Sequence, residues 1–215
     1  MRKVDPARHR ARRRQIVGAA AGLFAAKGFE RTTTAEICKA VGMSAGNLFH
    51  YFPNKRAIFY AVFEDDGGDG GDGAQGGVSK AERLAAACTA EDPWAALLDT
   101  VDLLASPATE PLVPALVMEA MIQAYRDPEL EELLSRDNAE ERATLVTLLR
   151  NAKAAGQIDP GLDPDDTAAW VMALIAALYT SAATDPSFSP ADQLPTLRLI
   201  LHRFLRPGTA PGPEQ

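Results

Sequence analysis

The stretch TTTAEICKAVGMSAGNLFHYFPNK, Thr32 to Lys55, decides the fold. Thr33 and Glu36 make a capping box, in which a hydroxyl and a carboxylate satisfy each other's orphan amides and start a helix. Ile37, Cys38 and Val41 give that helix one apolar face, and Gly42 supplies the turn that ends it. Ser44 is set to cap a second helix, Ala45 to Phe52, which Pro53 stops. Two short helices joined by a tight turn are the form that lays one helix in the DNA major groove.

The flanks complete a small core. Upstream, Pro6 to Lys27 reads as a helix whose Ile16, Ala20, Leu23 and Phe24 fall on one face, with Gly28 at a left-handed cap. Downstream, Asn54 can cap a further helix from Lys55 to about Glu64. Phe24, Phe29, Leu48, Phe52, Ile58 and Phe59 are the available core residues. Arg8, Arg10, Arg12, Arg13 and Arg14 crowd the start of the first helix, where cations oppose the helix dipole. Phosphate contact explains them better than local stability does.

Charge divides the chain at the edge of this region. Residues 1–56 hold 12 Lys+Arg against 3 Asp+Glu, a balance of +9. The remainder holds 10 against 26, a balance of −16, and together they give the formal net charge of −7. A polyanion is drawn to the first part and repelled by the second.

Asp65 to Gly77 reads as a Gly/Asp-rich flexible linker with no apolar anchor. It contains one copy only of a calcium-type glycine–aspartate repeat, which needs several stacked copies. A phosphate loop is excluded because no Gly-Lys-Ser/Thr ending follows. Residues 78–206 then read as helices throughout. Segments Val78 to Thr89, Pro93 to Ala105, Val113 to Tyr125 and Leu130 to Ala155 come first. Two more follow, opened by Asp163-Pro164 and Ser189-Pro190, each a cap followed by proline at the first helical position. Residues 207–215 read as a disordered tail. The fold class is therefore all-α: an N-terminal three-helix helix-turn-helix DNA-binding domain over residues 1–64, then a second helical domain, about nine to ten helices in all.

No run of eighteen uncharged apolar residues occurs, so no transmembrane helix is expected, and no apolar signal segment follows the basic N-terminus. A cytoplasmic place is the expectation. Cys38 and Cys88 are too few for a disulfide framework or zinc site. His9, His50 and His202 are scattered, and neither cysteine has catalytic partners in a motif. No enzyme, metal or cofactor is expected.

These residues bear a resemblance. Arg12–Phe63 resembles the DNA-binding domain of the TetR family of transcriptional regulators. The matches are Ile16, Ala20, Leu23-Phe24, Lys27-Gly28-Phe29, Thr33, Glu36-Ile37, Val41-Gly42-Met43-Ser44, Gly46, Leu48, Tyr51-Phe52-Pro53 and Lys55. EAMIQAYRDPELEELL and AAGQIDPGLDPDDTAAW, further on, are similar to a subgroup that includes choline-responsive regulators. The resemblance implies a homodimer through the last two helices, a ligand cavity in the C-terminal region, and release of a double-stranded DNA operator on binding a small-molecule effector. It also implies repression as the default, and Thr33, Tyr51 and Lys55 as phosphate contacts. The family usually has tyrosine where this chain has Phe49, so one phosphate contact is expected to be missing.

On the recognition helix Leu48 and Phe52 face the core, which leaves Ala45, Asn47 and His50 for DNA. Asn47 can pair bidentately with adenine, Ala45 can touch a thymine methyl, and His50 can take a base or a phosphate. Gly46 and Ser44 lie where the backbone approaches phosphate. For the effector the bulky central residues are Trp94, Met118, Met121, Ile122, Tyr125, Trp170, Leu174 and Tyr179, with ordinary core packing as the alternative. Glu119 and Gln123 lie among them; a carboxylate there suits a cationic ligand or is simply solvated. Val171, Leu174, Ile175, Leu178, Leu197, Ile200, Leu201 and Phe204 are expected to form the dimer seam and its backing core. A regulator that is ligand-independent, or that senses oxidants through Cys88, is the alternative.

Overall fold

The computed structural model describes residues 6–64 and 78–206; the linker, the tail and the first five residues of the basic arm lie outside the described residues. Ten α-helices and one 3₁₀ turn account for the described secondary structure, with no strand. They are α1 (Pro6–Lys27), α2 (Thr34–Val41), α3 (Ala45–Leu48), α4 (Lys55–Phe63), α5 (Lys80–Ala87), α6 (Pro93–Ala105), α7 (Val113–Ala124), α8 (Pro128–Ala154), α9 (Pro164–Thr184) and α10 (Pro190–Leu205). The chain divides into two compact units. One holds the described residues up to Glu64 together with Ala115–Leu134; the other holds Val78–Pro114 and the chain from Ser135 onward.

Local chemistry sets most helix ends. Thr33 Oγ1 accepts from the Glu36 amide at 3.2 Å, and Glu36 Oε2 accepts from the Thr33 amide at 2.9 Å, closing the capping box. Asn54 Oδ1 accepts from the Ala57 amide at 2.8 Å, and Asp163 Oδ1 from the amides of Asp165 and Asp166 at 3.0 Å. Gly28, Gly42 and Gly156 take positive φ where α1, α2 and α8 end. One helix differs from expectation. α3 covers four residues, where Ala45 to Phe52 was expected. Beyond Leu48 the backbone tightens, with the His50 amide reaching Asn47 O at 3.3 Å and the Tyr51 amide reaching Leu48 O at 2.9 Å. Pro53 disfavours helical geometry at Phe52, so the segment closes as a turn that still buries Phe52.

The first unit has its own apolar core. Ile16, Ala20 and Phe24 of α1 meet Ile37, Leu48, Phe52, Ile58 and Phe59, joined by Leu116, Ala120 and Leu130. The second unit buries Leu97, Val101, Leu145, Leu149, Val171, Ile175, Leu197 and Leu201 among others. By length and composition α9 could pass for a membrane span. Here its Thr167, Ala168, Val171, Ile175 and Leu178 are buried against the rest of the unit, which accounts for one apolar face.

Candidate nucleic-acid interface

α2, the Gly42 turn and α3 form a helix-turn-helix held from below by its own core. Leu48 is fully buried, and this orients the rest of α3 outward. Ser44 Oγ caps α3 by accepting from the Asn47 amide at 3.3 Å. Ala45, Gly46, Asn47, Phe49 and His50 are all exposed, Phe49 at 50%. Tyr51 is half-buried, and its ring stacks on His9 of α1 with centroids 4.7 Å apart. An exposed amide, imidazole and phenyl ring beside a small-residue turn match the donors, acceptors and apolar contacts that base edges present in the major groove.

The arginine cluster is part helix and part scaffold. α1 is helical from Pro6, so the described part of the basic segment is not an extended strand. Arg12 Nη2 donates to Val41 O at 3.0 Å, satisfying a carbonyl that the end of α2 leaves open. Arg13 lies 4.3 Å over the Phe52 ring and 3.5 Å from Glu64. Arg12 and Arg13 therefore bear on tertiary structure, a role that the sequence reading did not give them.

Thr33 and Lys55, phosphate contacts by the resemblance, also make bonds within the protein. Thr33 spends its amide and its hydroxyl proton on Glu36 Oε2, at 2.9 and 3.0 Å. Lys27 pairs with the same carboxylate, and this pairing first, then Thr33, holds Glu36 at about 2. Lys55 Nζ donates to Phe29 O at 2.7 Å, Thr32 O at 2.9 Å and Glu30 O at 3.4 Å, and it lies 4.2 Å from the Phe29 ring centre. An ammonium has three donors, and all three are directed at the loop between α1 and α2.

The bulky residues proposed for the effector are divided. Met118, Met121, Ile122 and Tyr125 belong to the first unit, where the last three are exposed, Tyr125 at 92%. Trp94, Trp170, Leu174 and Tyr179 belong to the second. Trp94 is core, edge-on to His202 and 4.8 Å below the Arg206 guanidinium. Tyr179 donates to Leu104 O at 2.7 Å, and burial, with Glu141 nearby, pushes its hydroxyl up to about 12. Leu174 packs half-buried against the same core, whereas Trp170 is 65% exposed on α9. Glu119 is half-buried, and its Oε1 accepts from the Phe29 amide at 2.8 Å.

Comparison with known proteins places this geometry. The model for bacterial regulatory proteins of the tetR family matches residues 16–62, and that for the BetI-type transcriptional repressor C-terminal region matches residues 95–206. The chain belongs to the TetR family of transcriptional regulators. It is similar to the HTH-type transcriptional repressor Rv1474c of Mycobacterium tuberculosis, 29% identical over 165 residues that cover 77% of this chain and 79% of that one. It is also similar to the HTH-type transcriptional regulator UidR of Escherichia coli K12, 25% identical over 195 residues covering 90% and 92%. Among solved structures, a transcriptional regulator from Saccharomonospora viridis in complex with choline shares the fold. Its TM-score is 0.74 at 19% identity, with 91% of this chain and 98% of that one covered. TetR-family proteins are DNA-binding regulators and not enzymes.

Proposed function

We propose that the protein is a homodimeric repressor that binds a palindromic operator and lets go when a small molecule occupies its helical region 78–206. The observation that carries this reading is α3 and the turn that follows it: buried Leu48 anchors them, while Ala45 and Asn47 on α3 and His50 in the turn stay exposed. Asn47 and Ala45 read bases, His50 takes a base or phosphate, and Ser44, Gly46 and Tyr51 approach phosphate. Phe49 offers no hydroxyl and meets the sugar edge or a thymine methyl. Thr33 and Lys55 act one step back, by holding the α1–α2 loop. The protein works where its DNA is, in the cytoplasm.

The dimer face is the outer side of α9 and α10. Trp170, Ala173 and Ala177 follow the i, i+3, i+7 spacing of one exposed stripe on α9, and its alanines let another helix come close. Leu199, Ile200 and Phe204 are exposed on α10, while Val171, Ile175, Leu178, Leu197 and Leu201 form the backing core. This sorts the expected seam into face and support, and moves Trp170 from the effector to the face. The effector is a small molecule; choline, bound by the Saccharomonospora viridis protein, belongs in the first panel to be screened.

Selection from random DNA tests the reading. Enrichment of two inverted half-sites about one helical turn apart, about 34–36 Å, is expected. Enrichment of a single unpaired half-site would refute the dimer. With that operator, Asn47→Ala should cost about 1–3 kcal/mol and relax preference at one symmetric position. An unchanged base profile would remove Asn47 as a reader. Deleting residues 1–11 removes Arg8 and Arg10 but keeps Arg12 and Arg13. A shallower dependence of log K on log salt is expected, by roughly one unit per lost phosphate contact. An equal slope in the two proteins means that the arm does not touch DNA.

A further inference from the structure

We propose that Glu119 is a positioning residue for DNA binding, acting through the backbone of Phe29 on the loop that joins α1 to α2. The proposal rests on the reading of residues 44–51 as the DNA face.

The loop is gripped from two sides. On its N–H side, Glu119 Oε1 accepts from the Phe29 amide at 2.8 Å. Gln123, one turn along α7, donates Nε2 to the same oxygen at 3.0 Å and so fixes the carboxylate's direction. On the carbonyl side, Lys55 at the start of α4 holds Phe29 O and Thr32 O. The buried Thr32 hydroxyl ties Gly28 O at 2.9 Å, and the next residue, Thr33, starts α2. The Phe29 peptide is therefore the point at which α7, α4 and the helix-turn-helix are bonded to one another.

Gly28 gives an independent sign that this approach is built in. Its φ is +80°, which glycine adopts without strain. A Cβ there would also stand 3.1 Å from Glu119 Oε2 and 3.5 Å from its Cδ. Glycine thus serves the end of α1 and leaves room for the carboxylate.

The bond does what apolar packing does not. Leu116, Ala120 and Leu130 already bury this part of the chain in the first unit's core. Hydrophobic contact is non-directional and tolerates small slides. A carboxylate bonded to a backbone N–H is charge-assisted and directional, so it fixes register. A second directional tie stands beside it. Arg56 of α4 forks onto Asp127 at 2.7 and 2.5 Å and holds that carboxyl at about 2. A movement of α7 that opens the Glu119 bond releases the Phe29 amide and so loosens one of the ties that set the start of α2.

The experiment uses the full chain, the duplex selected by the wild type, and amide hydrogen exchange read at Phe29. Glu119→Ala is expected to exchange at Phe29 about tenfold faster and to bind the duplex about tenfold more weakly, at an unchanged melting midpoint. Glu119→Gln keeps an acceptor and should recover most of both. Unchanged exchange at Phe29, or affinity within about twofold of wild type, overturns the proposal. So does an affinity loss that merely tracks a lowered midpoint. If Glu119→Ala does not fold, Glu119→Asp decides: its shorter side chain withdraws the acceptor from the Phe29 amide, and exchange there equal to wild type overturns the tie. If the wild type enriches no duplex, the DNA face itself is wrong and the proposal falls with it, a failure visible before any variant is made.

Discussion

Replacing Trp170 and Phe204 together with glutamate is expected to leave a folded monomer that no longer holds its operator. The two side chains are 65% and 40% exposed on α9 and α10, so the single chain loses little when they change. In the proposed dimer the same positions would lie within an apolar face, where a buried aromatic residue is worth about 2 kcal/mol or more. A glutamate there removes that contact and also forces an unpaired carboxylate out of water, or holds the subunits apart. With the proposed operator of two half-sites, a monomer would keep half of the base and phosphate contacts. The expected loss in operator affinity is at least about a hundredfold, close to abolition at moderate salt. Light scattering coupled to size exclusion gives the mass, circular dichroism checks that helicity is retained, and anisotropy with a labelled duplex gives the affinity. A variant that remains dimeric would move the interface elsewhere on the molecule.

Much of this was legible in the sequence, and the limits follow a physical line. Features set by neighbours in the chain were readable. The Thr33–Glu36 box, the caps at Ser44, Asn54, Asp163 and Ser189, and the glycine ends at Gly28, Gly42 and Gly156 all stand where local chemistry put them. α1 runs from Pro6 to Lys27 as its periodicity requires. Features set by distant partners were not. Lys55 finds its carbonyls 23 to 26 residues away, and Glu119 finds the Phe29 amide 90 residues away. Nothing in either local sequence announces those bonds. Thr33 is an intermediate case. The capping box was legible and engages its amide and hydroxyl, whereas the phosphate role came only from the resemblance. Trp170 shows a different limit: a large apolar residue on a helix that is apolar nearly all round fits a pocket, a core or an interface equally well until its burial is known. The short α3 has a similar origin, since the burial of Phe52 and the constraint of Pro53 act together to tighten the turn.

The second large effect concerns the platform beneath the DNA face. Phe24→Ala should uncouple the melting of the DNA-binding unit from that of the rest. Phe24 is fully buried, 5.0 Å from the Phe59 ring in an edge contact and 5.8 Å from Phe29. Truncating such a residue costs about 3–5 kcal/mol through lost transfer energy and the cavity left behind. Whole domains are stable by only about 5–15 kcal/mol, so the change consumes a large share of what holds this unit. The two apolar clusters share no residue, and the loss falls on the cluster of α1 to α4. Both tryptophans, Trp94 and Trp170, lie in the other unit. Tryptophan fluorescence therefore reports the second unit alone, and far-ultraviolet dichroism reports both. In the variant, dichroism should lose part of its signal at a temperature lower by roughly 10 °C or more, while the fluorescence midpoint moves much less. Operator binding should vanish in the same low-temperature step. If both probes shift together, the units melt as one cooperative block. A midpoint unchanged in both would mean that Phe24 does not bear on the core. Phe24→Leu refills most of the volume and should restore most of the midpoint, which separates the effect of the cavity from loss of the edge-on ring contact.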